Sequence, residues 1–242
     1  ANSGVATILV KHSTGERAVF FERSTATEPV FLDAHKQLIE SAYILHINGR
    51  HRQLMRSAMD VAKEVGTIIS LDGGAQRYDE DMKPITEVSH IVIVARDYAE
   101  KYTGTTNLED ACRIIHERGA FIAGVTDGAN GSYFVWPDGT SYRCEPFSQA
   151  TVVDTTGAGD SFHGAFLAML TKTLCKTADG TNTSTMNETS QSLNAIDLLH
   201  SCAHEDLEKA ATFASAVAAL NTQGIGGRSP LPSLEDIKAL IG

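Results

Sequence analysis

The residues best suited to chemistry form a short turn in the second half of the 242-residue chain, where Asp154 and Asp160 flank a run of small residues. The turn reads Asp-Thr-Thr-Gly-Ala-Gly-Asp, with Val152 and Val153 before it and an amphipathic pattern after it. A strand that enters a glycine turn and continues as a helix exposes backbone N–H groups at the positive end of the helix dipole, which can hold an anion. Asp160 adds a carboxylate to the same pocket. The turn therefore predicts a phosphate-binding site with an acid beside it.

Simpler explanations of this turn are available. Asp160 could only cap the helix, and the glycines could only form the turn. The dinucleotide-binding pattern requires a third glycine where Phe162 stands, and the Walker pattern requires a Gly-Lys-Ser or Gly-Lys-Thr that is absent. Chance would produce Asp-Thr-x-Gly-Ala-Gly-Asp on the order of 10⁻⁵ times in a chain of this length at average composition. The functional interpretation is therefore favoured.

The turn resembles the second signature of the ribokinase or PfkB family of carbohydrate kinases. The resemblance implies that Asp160 is the general base for a sugar hydroxyl. It also implies that Gly157, Ala158 and Gly159 form the anion hole. In phosphoryl transfer of this kind, positioning and charge stabilisation supply most of the catalysis.

A second glycine-rich segment, Thr126–Gly131, directly follows an apolar run that ends at Val125. Any hairpin can use such glycines, so this segment alone is a weak indication. It is similar to the family's Thr-x-Gly-x-x-Gly nucleotide loop, at the expected distance before Asp160. The resemblance implies that Thr126 and Gly128 contact ATP, while Gly131 lets the hairpin turn.

Two further segments resemble the family's adenine-side helix and closing loop. The first is Phe213, Ala214 and Ser215, and the second is Gly226, Gly227 and Arg228. The resemblance implies nucleotide contacts from Ser215 and Gly226, although a core helix followed by a glycine cap is an equal alternative.

The same resemblance implies three small-molecule components besides the sugar: ATP, Mg²⁺ and a monovalent cation such as K⁺. Asp154 and Thr156 would help to hold the monovalent cation through side-chain and carbonyl oxygens. A hydrogen-bonded turn is the alternative role for these two residues.

Other segments are similar to the ketohexokinase-like branch of the family, namely Ile44–Arg50, Ser70–Asp72 and Val94–Tyr98. In that branch the first segment carries a sugar-binding acid where Asn48 stands here, so Asn48 can hydrogen-bond a hydroxyl but supplies no charge. Arg50 is expected beside it in the sugar site, and Asp72 is either a site residue or a strand-end turn residue.

Two departures from the family pattern stand out. Ala95 and Tyr98 occupy the Asn and Glu positions of the family's Asn-x-x-Glu motif, which orders the metal and phosphates. The sequence also enters the family pattern partway through the lid hairpin, so we expect a fragment or truncated gene model of a complete kinase.

The elements that must position these residues follow an α/β rhythm. Short β-branched runs alternate with helical patterns, which predicts a ribokinase-like, mostly parallel sheet with helices on both faces and a small β lid. We expect residues 1–32 to form part of the lid and residues 33–242 the kinase core. The predicted strands and helices are Val5–Val10, Ala18–Glu22, Tyr43–Ile47, Gln53–Val65, Thr67–Leu71, His90–Val94, Leu108–Glu117, Phe121–Val125, Tyr133–Trp136, Ser141–Cys144, Ser161–Leu170, Leu207–Leu220 and a final helix after Pro232.

A polar insertion interrupts this rhythm. Thr171–Gln191 is rich in Thr, Ser and Asn and loses hydrophobic periodicity, which predicts a disordered segment within an insertion at about 171–205. His200 and His204 flank Cys202, but a single i, i+4 pair is more typical of a solvated helix face than of a metal site.

Charge and hydropathy exclude several partners. Thirty acidic and 20 basic residues give a net charge of −10, which repels a nucleic-acid backbone. No apolar stretch approaches the roughly 18 residues of a membrane helix, and no signal peptide opens the chain. The four scattered cysteines indicate reduced thiols. We therefore expect a cytoplasmic enzyme that uses a small-molecule sugar and ATP, without nucleic acid or membrane.

Two functional hypotheses are compatible with these patterns. The first is an ATP-dependent carbohydrate kinase that acts on a ketose such as fructose, or on ribose. The alternative is a catalytically inactive nucleotide- or sugar-binding relative, favoured by Asn48 and Ala95. The resemblance also implies a homodimer formed through the lid, because family lids often pair between subunits and an exposed strand edge can pair with another chain.

Overall fold

The computed structural model describes residues 1–11, 13–14, 17–148, 151–182 and 194–242. The strands are β1 (Val5–Val10), β2 (Arg17–Glu22), β3 (Ile44–Ile47), β4 (Ile68–Gly73), β5 (Ile91–Ala95), β6 (Ile122–Thr126), β7 (Ser132–Val135) and β8 (Ser141–Cys144). The helices are α1 (Asp33–Glu40), α2 (Arg52–Val65), α3 (Lys83–Glu87), α4 (Arg96–Thr103), α5 (Leu108–Glu117), α6 (Ala158–Asn182), α7 (Ala195–His200), α8 (His204–Asn221) and α9 (Leu234–Ile241).

Strands β1 and β2 form the predicted antiparallel hairpin. Their register runs from Val5 opposite Glu22 to Val10 opposite Arg17. Large apolar side chains on this two-stranded sheet are exposed, including Leu9 and Phe20. The hairpin thus presents apolar surface to solvent.

The main sheet has the order β3-β4-β5-β6-β7-β8. The first four strands are parallel, and β7 and β8 are antiparallel additions. Since side chains alternate between the two faces of a strand, Ile69 and Leu71 of β4 point to one face. Ser70 and Asp72 point to the other face.

Helices cover both faces of this sheet, which confirms the predicted α/β class. One core joins α1, α2, α4 and α5 to one face, with buried residues such as Met59, Val92 and Ile115. The other core joins α6, α8 and α9 to the opposite face, with buried residues such as Ile93 and Phe166. Helix α6 therefore packs on the face of the sheet that carries Asp72.

Local sequence signals were sufficient to predict several of the helices and strands. The Asn107 side chain accepts hydrogen bonds from the backbone N–H groups of Glu109 and Asp110, so α5 begins at the predicted cap. The predicted hairpin of β7 and β8 and the helix α8 are present as well. Ser233 caps α9, which confirms the final helix after Pro232.

The prediction of disorder after Leu170 was wrong for the first part of the segment, because α6 continues to Asn182. Leu174 packs in the core, and threonine hydroxyls of the helix donate to the carbonyl oxygens one turn earlier. The hydroxyls are thereby satisfied without leaving the helix, so a threonine-rich tract stays helical. Helix α7 also lies within the predicted insertion, and its Asn194 cap accepts two backbone hydrogen bonds. Residues 183–193 lie outside the described residues.

Several helices of the described ranges were not predicted, namely α1, α3, α4 and α7. Helix α4 begins at Arg96, directly after the last residue of β5. No turn residue separates the two elements, so the sequence carried no boundary signal there.

The two histidines that flank Cys202 contact different parts of the molecule. The ring of His200 packs on Phe121 with centroids 4.0 Å apart, and His204 Nε2 lies 3.2 Å from Asp138 Oδ2. Across the described ranges, no group of three or more His, Cys, Asp or Glu side chains could hold a metal ion.

All four cysteines are free thiols, as predicted. None of the helices in the described ranges has the length and apolar character needed to cross a membrane.

Candidate active site

The site lies where the carboxyl ends of the parallel strands meet. Asn48 follows β3, Asp72 lies near the end of β4, Arg96 follows β5 and Thr126 ends β6. The first turns of α6 reach the same edge, since His163 Nε2 lies 3.3 Å from Asp72 Oδ1. The crevice outside the carboxyl ends of strands is the usual ligand site of open α/β sheets.

Asp154 organises the turn that precedes α6. Its buried carboxylate accepts a hydrogen bond from Thr156 N at 2.8 Å and another from Gly226 N at 2.9 Å. Asn221 Nδ2 adds a hydrogen bond to Thr156 O at 3.2 Å. The turn is therefore tied to the end of α8 and to the loop after it.

A close backbone approach strengthens this connection. Gly157 has φ +80°, and a Cβ on it would lie 2.4 Å from Gly227 Cα. Only glycine has both the conformational freedom and the size for this position. The turn and the loop therefore contact each other directly through their backbones.

The amides at the start of α6 are available for a ligand. Ala158 N donates a long hydrogen bond of 3.3 Å to Thr155 O. The N–H groups of Gly157, Gly159 and Asp160 have no acceptor within the part of the chain that the structure describes. These groups lie at the positive end of a 25-residue helix, which favours an anion in front of them.

Asp160 is exposed and lines a cleft of about 400 Å³ between α6, α8 and the loop after α8. Side chains from Phe213, Val217 and Leu231 supply apolar walls, and Gly227 and Arg228 border the same cleft. Its volume is within the range of small-molecule sites. The structure thus brings a carboxylate, free amides and an apolar cleft together.

The second glycine segment, Thr126–Gly131, forms a tight turn between β6 and β7. Asp127 N donates to Gly131 O at 2.9 Å. Gly128 has φ +53°, and Gly131 has φ +85° with its backbone packed so closely that a Cβ would lie 2.3 Å from Cys144 O. Gly131 thus lets the hairpin turn, and Thr126 and Gly128 lie at the edge where the parallel strands end.

Arg96 holds this loop against the neighbouring strand end. Its Nη1 lies 2.6 Å from Asp127 Oδ2, and its Nε lies 2.9 Å from Glu100 Oε1. No local sequence pattern marks Arg96 as a tether, because its partner Asp127 lies 31 residues away.

The nucleotide residues predicted after α6 are only partly brought together. Ser215 lies beside the Cys144 thiol on β8, whereas the α8 residues that line the cleft are Phe213 and Val217. The Gly226 amide is already engaged by Asp154, and its neighbours Gly227 and Arg228 line the cleft.

The residues predicted to bind the sugar form a connected polar group. Asn48 Oδ1 accepts a hydrogen bond from Arg50 N at 3.2 Å, and Asn48 O accepts one from Arg77 Nη1 at 3.3 Å. The Arg50 guanidinium lies 5.4 Å from the centre of the Phe21 ring on β2. The turn after β3 thereby contacts the lid hairpin.

Asp72 is buried and charged. Burial by itself would raise the pKa of Asp72, but the contact with His163 and the electrostatic effects of Arg77 and His46 lower it below its ordinary value. The pKa of His46 is lowered by burial and by the neighbouring His163, against the opposite effects of Asp72 and Asp160.

His163 is a site residue that the sequence patterns did not single out. It follows Asp160 by three residues on α6, and that spacing alone signals a shared helix face. Its partner Asp72 lies on a distant strand, so no local pattern could have paired the two.

Comparison with known proteins identifies relatives of this arrangement. The family described as "pfkB family carbohydrate kinase" matches residues 1–234. "Probable fructokinase-5" of Arabidopsis thaliana is 29% identical over 190 residues, which cover 71% of this chain and 57% of that protein. "Bifunctional ribokinase/ribose-5-phosphate isomerase A" of Fructilactobacillus sanfranciscensis is 26% identical over 249 residues, which cover 99% of this chain and 39% of that protein. The chain thus spans about half the length of such curated relatives.

Solved structures show the same fold. The ribokinase from Giardia lamblia superposes with a TM-score of 0.77 at 17% identity, covering 98% of this chain and 71% of that one. A double-mutant fructokinase from Vibrio cholerae O395, in its fructose, ADP and potassium ion bound form, superposes with a TM-score of 0.69 at 21% identity, covering 98% of this chain and 73% of that one. These likenesses establish a ribokinase-like architecture, while the ketohexokinase-like branch stays a prediction.

Proposed function

The chain belongs to the pfkB family of carbohydrate kinases, and from that membership we propose that it catalyses ATP-dependent phosphorylation of a sugar hydroxyl. The observation that carries the proposal is the position of Asp160. Its carboxylate lines the cleft directly beside the free amides at the start of α6. A base and an anion-binding group are thus adjacent, as phosphoryl transfer to an alcohol requires.

The proposed reaction uses these groups as follows. The sugar hydroxyl oxygen attacks the γ-phosphorus of ATP, the bond to the ADP oxygen breaks, and the hydroxyl proton passes to the Asp160 carboxylate. The N–H groups of Gly157, Ala158 and Gly159 face the charge on the moving phosphoryl group. Because such amides are already oriented by the helix, they stabilise that charge without rearrangement.

The nucleotide is proposed to occupy the cleft between α6 and α8. Phe213, Val217 and Leu231 offer apolar contacts suited to a base, and the phosphates would extend toward Thr126 and Gly128. Ser215 and Gly226 are proposed to contribute through the same helix and loop, Gly226 by holding the loop against Asp154.

Mg²⁺ is proposed to enter with the ATP phosphates, because the described part of this chain offers it no prepared set of ligands. Tyr98, at the position of the family's Glu, is buried with its hydroxyl 2.7 Å from Thr86 Oγ1. Mg²⁺ commonly takes substrate phosphates and water as ligands, with only one or two carboxylates. ATP phosphates and water are therefore the proposed ligands of this ion.

A monovalent cation such as K⁺ is proposed to bind at Asp154 and Thr156. The Thr156 hydroxyl is buried and has no hydrogen-bond partner among the described residues, so an oxygen ligand is available there. The Asp154 carboxylate supplies the negative charge. A cation would screen that charge and hold the anion-binding turn in place.

The sugar is proposed to lie against Asn48 and Arg50, within reach of Asp160. Asn48 O accepts a hydrogen bond from Arg77, whose Nη1 lies 3.9 Å from Asp72 Oδ2, and Arg50 N donates to Asn48 Oδ1. The relatives named as fructokinases and ribokinases make a ketose such as fructose, or ribose, the first substrates to test.

The deciding experiment compares two aspartates at equivalent helix positions. Asp160 and Asp110 both occupy the third residue of a helix, in α6 and α5, but only Asp160 lines the cleft. In a coupled assay with ATP and a panel of ketoses and pentoses, Asp160→Asn should lower kcat by about 10² to 10⁴ fold. Asp110→Asn should leave kcat unchanged. Equal activity of the two variants would refute the role of Asp160.

The second candidate is a non-catalytic relative that binds nucleotide or sugar. Asn48 and the buried Tyr98 favour it, since both replace acidic residues of the family pattern. Calorimetric binding of a non-hydrolysable ATP analogue, with no phosphorylation of any sugar by the full-length protein, would select this candidate.

A further inference from the structure

A buried polar pair lies beneath the proposed base. His163 Nε2 is 3.3 Å from Asp72 Oδ1, and the two side chains are only 6% and 10% exposed. His163 stands three residues after Asp160, so the two project from one face of α6. The pair therefore joins the first turns of α6 to strand β4.

The orientation of the His163 ring depends on Asp72. The other ring nitrogen, Nδ1, is buried and has no hydrogen-bond partner within the described ranges. His46 lies alongside with ring centroids 5.5 Å apart, and its own Nδ1 is 3.2 Å from Ser70 Oγ. Asp72 is thus the only polar group in the described ranges that the structure places against the ring nitrogens of His163.

Asp72 also faces the sugar side of the site. Arg77 Nη1 lies 3.9 Å from Asp72 Oδ2 and donates to Asn48 O at 3.3 Å. Asn48 in turn contacts Arg50, which stacks on Phe21 of the lid. A continuous set of contacts runs from α6 through β4 to the turn that is proposed to bind the sugar.

Such a pair contributes more to the placement of its side chains than to the free energy of unfolding. Taking the Asp72 carboxylate out of water costs free energy that offsets most of its attraction to a partner, so a buried pair of this kind is a weak source of folding free energy. A displacement of about 1 Å at a reacting group, however, can cost about 10²-fold in rate.

We propose that His163 is a positioning residue: held by Asp72, it sets the placement of Asp160 relative to the sugar-side turn at Asn48–Arg50. This inference rests on the proposed kinase function. Asp160 makes the proton transfer, and His163 touches neither substrate. The role belongs to the substrate-bound site, because His163 lies on the helix that carries the base and its contacts extend to the sugar turn.

The test uses His163→Leu, His163→Gln and Asp72→Asn in the full-length protein. We expect His163→Leu and Asp72→Asn to lower kcat by about 10 to 100 fold. The KM for ATP and the Kd of a non-hydrolysable ATP analogue should stay within about twofold, because the cleft residues are unchanged. His163→Gln retains an N–H donor toward Asp72 and should recover most of kcat. The matched control is His200→Leu on α7, a histidine stacked on Phe121 away from the site, which should keep full activity.

The outcomes separate this inference from the proposed function. If the wild-type protein phosphorylates no sugar, both fail together. If the wild type is active but kcat is unchanged in Asp72→Asn, or if His163→Gln is as impaired as His163→Leu, the positioning role is overturned. A parallel loss of kcat and analogue affinity would also overturn it, since that pattern indicates a purely structural role. Should His163→Leu fail to fold, the near-isosteric Asp72→Asn and the rescue by His163→Gln decide the result.

Discussion

Gly157 and Gly227 touch through their backbones: a Cβ added to Gly157 would lie 2.4 Å from the Cα of Gly227. Together with the hydrogen bond from Gly226 N to Asp154, this contact joins the anion-binding turn to the loop that borders the cleft. A ligand that binds one of these segments therefore also affects the position of the other.

The first prediction concerns Gly157→Ala. Alanine at φ +80° is strained by about 1–2 kcal/mol, and its methyl group has no space against Gly227. We expect the variant to lose more than that strain in free energy of unfolding, and to lose at least tenfold in kcat/KM for ATP. Urea denaturation and steady-state kinetics measure the two effects.

Gly104→Ala provides the control for this prediction. Gly104 has φ +81°, but nothing lies within 4 Å of its added Cβ. This variant should show only the backbone strain and normal kinetics. Equal losses of stability in the two variants would show that the Gly157–Gly227 contact is not restrictive.

The second prediction concerns the ion pair between Arg96 and Asp127. Arg96→Gln should raise the KM for ATP about fivefold or more, because the 126–131 loop loses its tie to α4. The free energy of unfolding should change little, as is usual for exposed ion pairs. Arg113, which pairs with Glu109 on the surface of α5, is the matched site. If Arg113→Gln raises the KM as much as Arg96→Gln does, the loop assignment is wrong.

The third prediction concerns the pH dependence of stability. The pKa of Asp72 is lowered in the folded protein, so its contribution is present above its unfolded pKa of about 3.9 and disappears as the pH falls through the lower folded value. The stability difference between wild type and Asp72→Asn should therefore be about 1–3 kcal/mol from pH 5 to 7 and shrink below pH 4. Urea denaturation across this range measures it, and a difference that stays constant to pH 3 would contradict the lowered pKa.

The fourth prediction concerns the proposed homodimer. Leu9 and Phe20 lie on the same face of the exposed β1–β2 hairpin, where they would be buried by a second lid. We expect wild-type protein to sediment as a dimer at micromolar concentration and a Leu9→Ser/Phe20→Ser variant to sediment as a monomer. Val88→Ser, an exposed apolar residue after α3, should leave the dimer intact. Monomeric wild-type protein would rule out the lid interface.

Local sequence patterns were enough to predict the α/β class, the lid hairpin and the glycine turn before α6. Periodicity, capping residues and turn residues act within a few positions, so they are visible in one stretch of chain. The Asn107 cap and the Asp154–Asp160 turn are clear examples, since each depends on neighbours two to six residues away.

The tertiary structure alone decided how these segments meet. Nothing local in the sequence shows that Asp72 faces His163, that Gly157 abuts Gly227, or that the threonine-rich end of α6 stays helical through packing at Leu174. Each depends on which strand lies beside which helix after the sheet has formed. Burial then strengthens the interactions between these distant residues. The residues proposed to do chemistry in the turn are therefore consecutive and recognisable in the sequence. Their position relative to the proposed sugar-binding turn arises only from the packed fold.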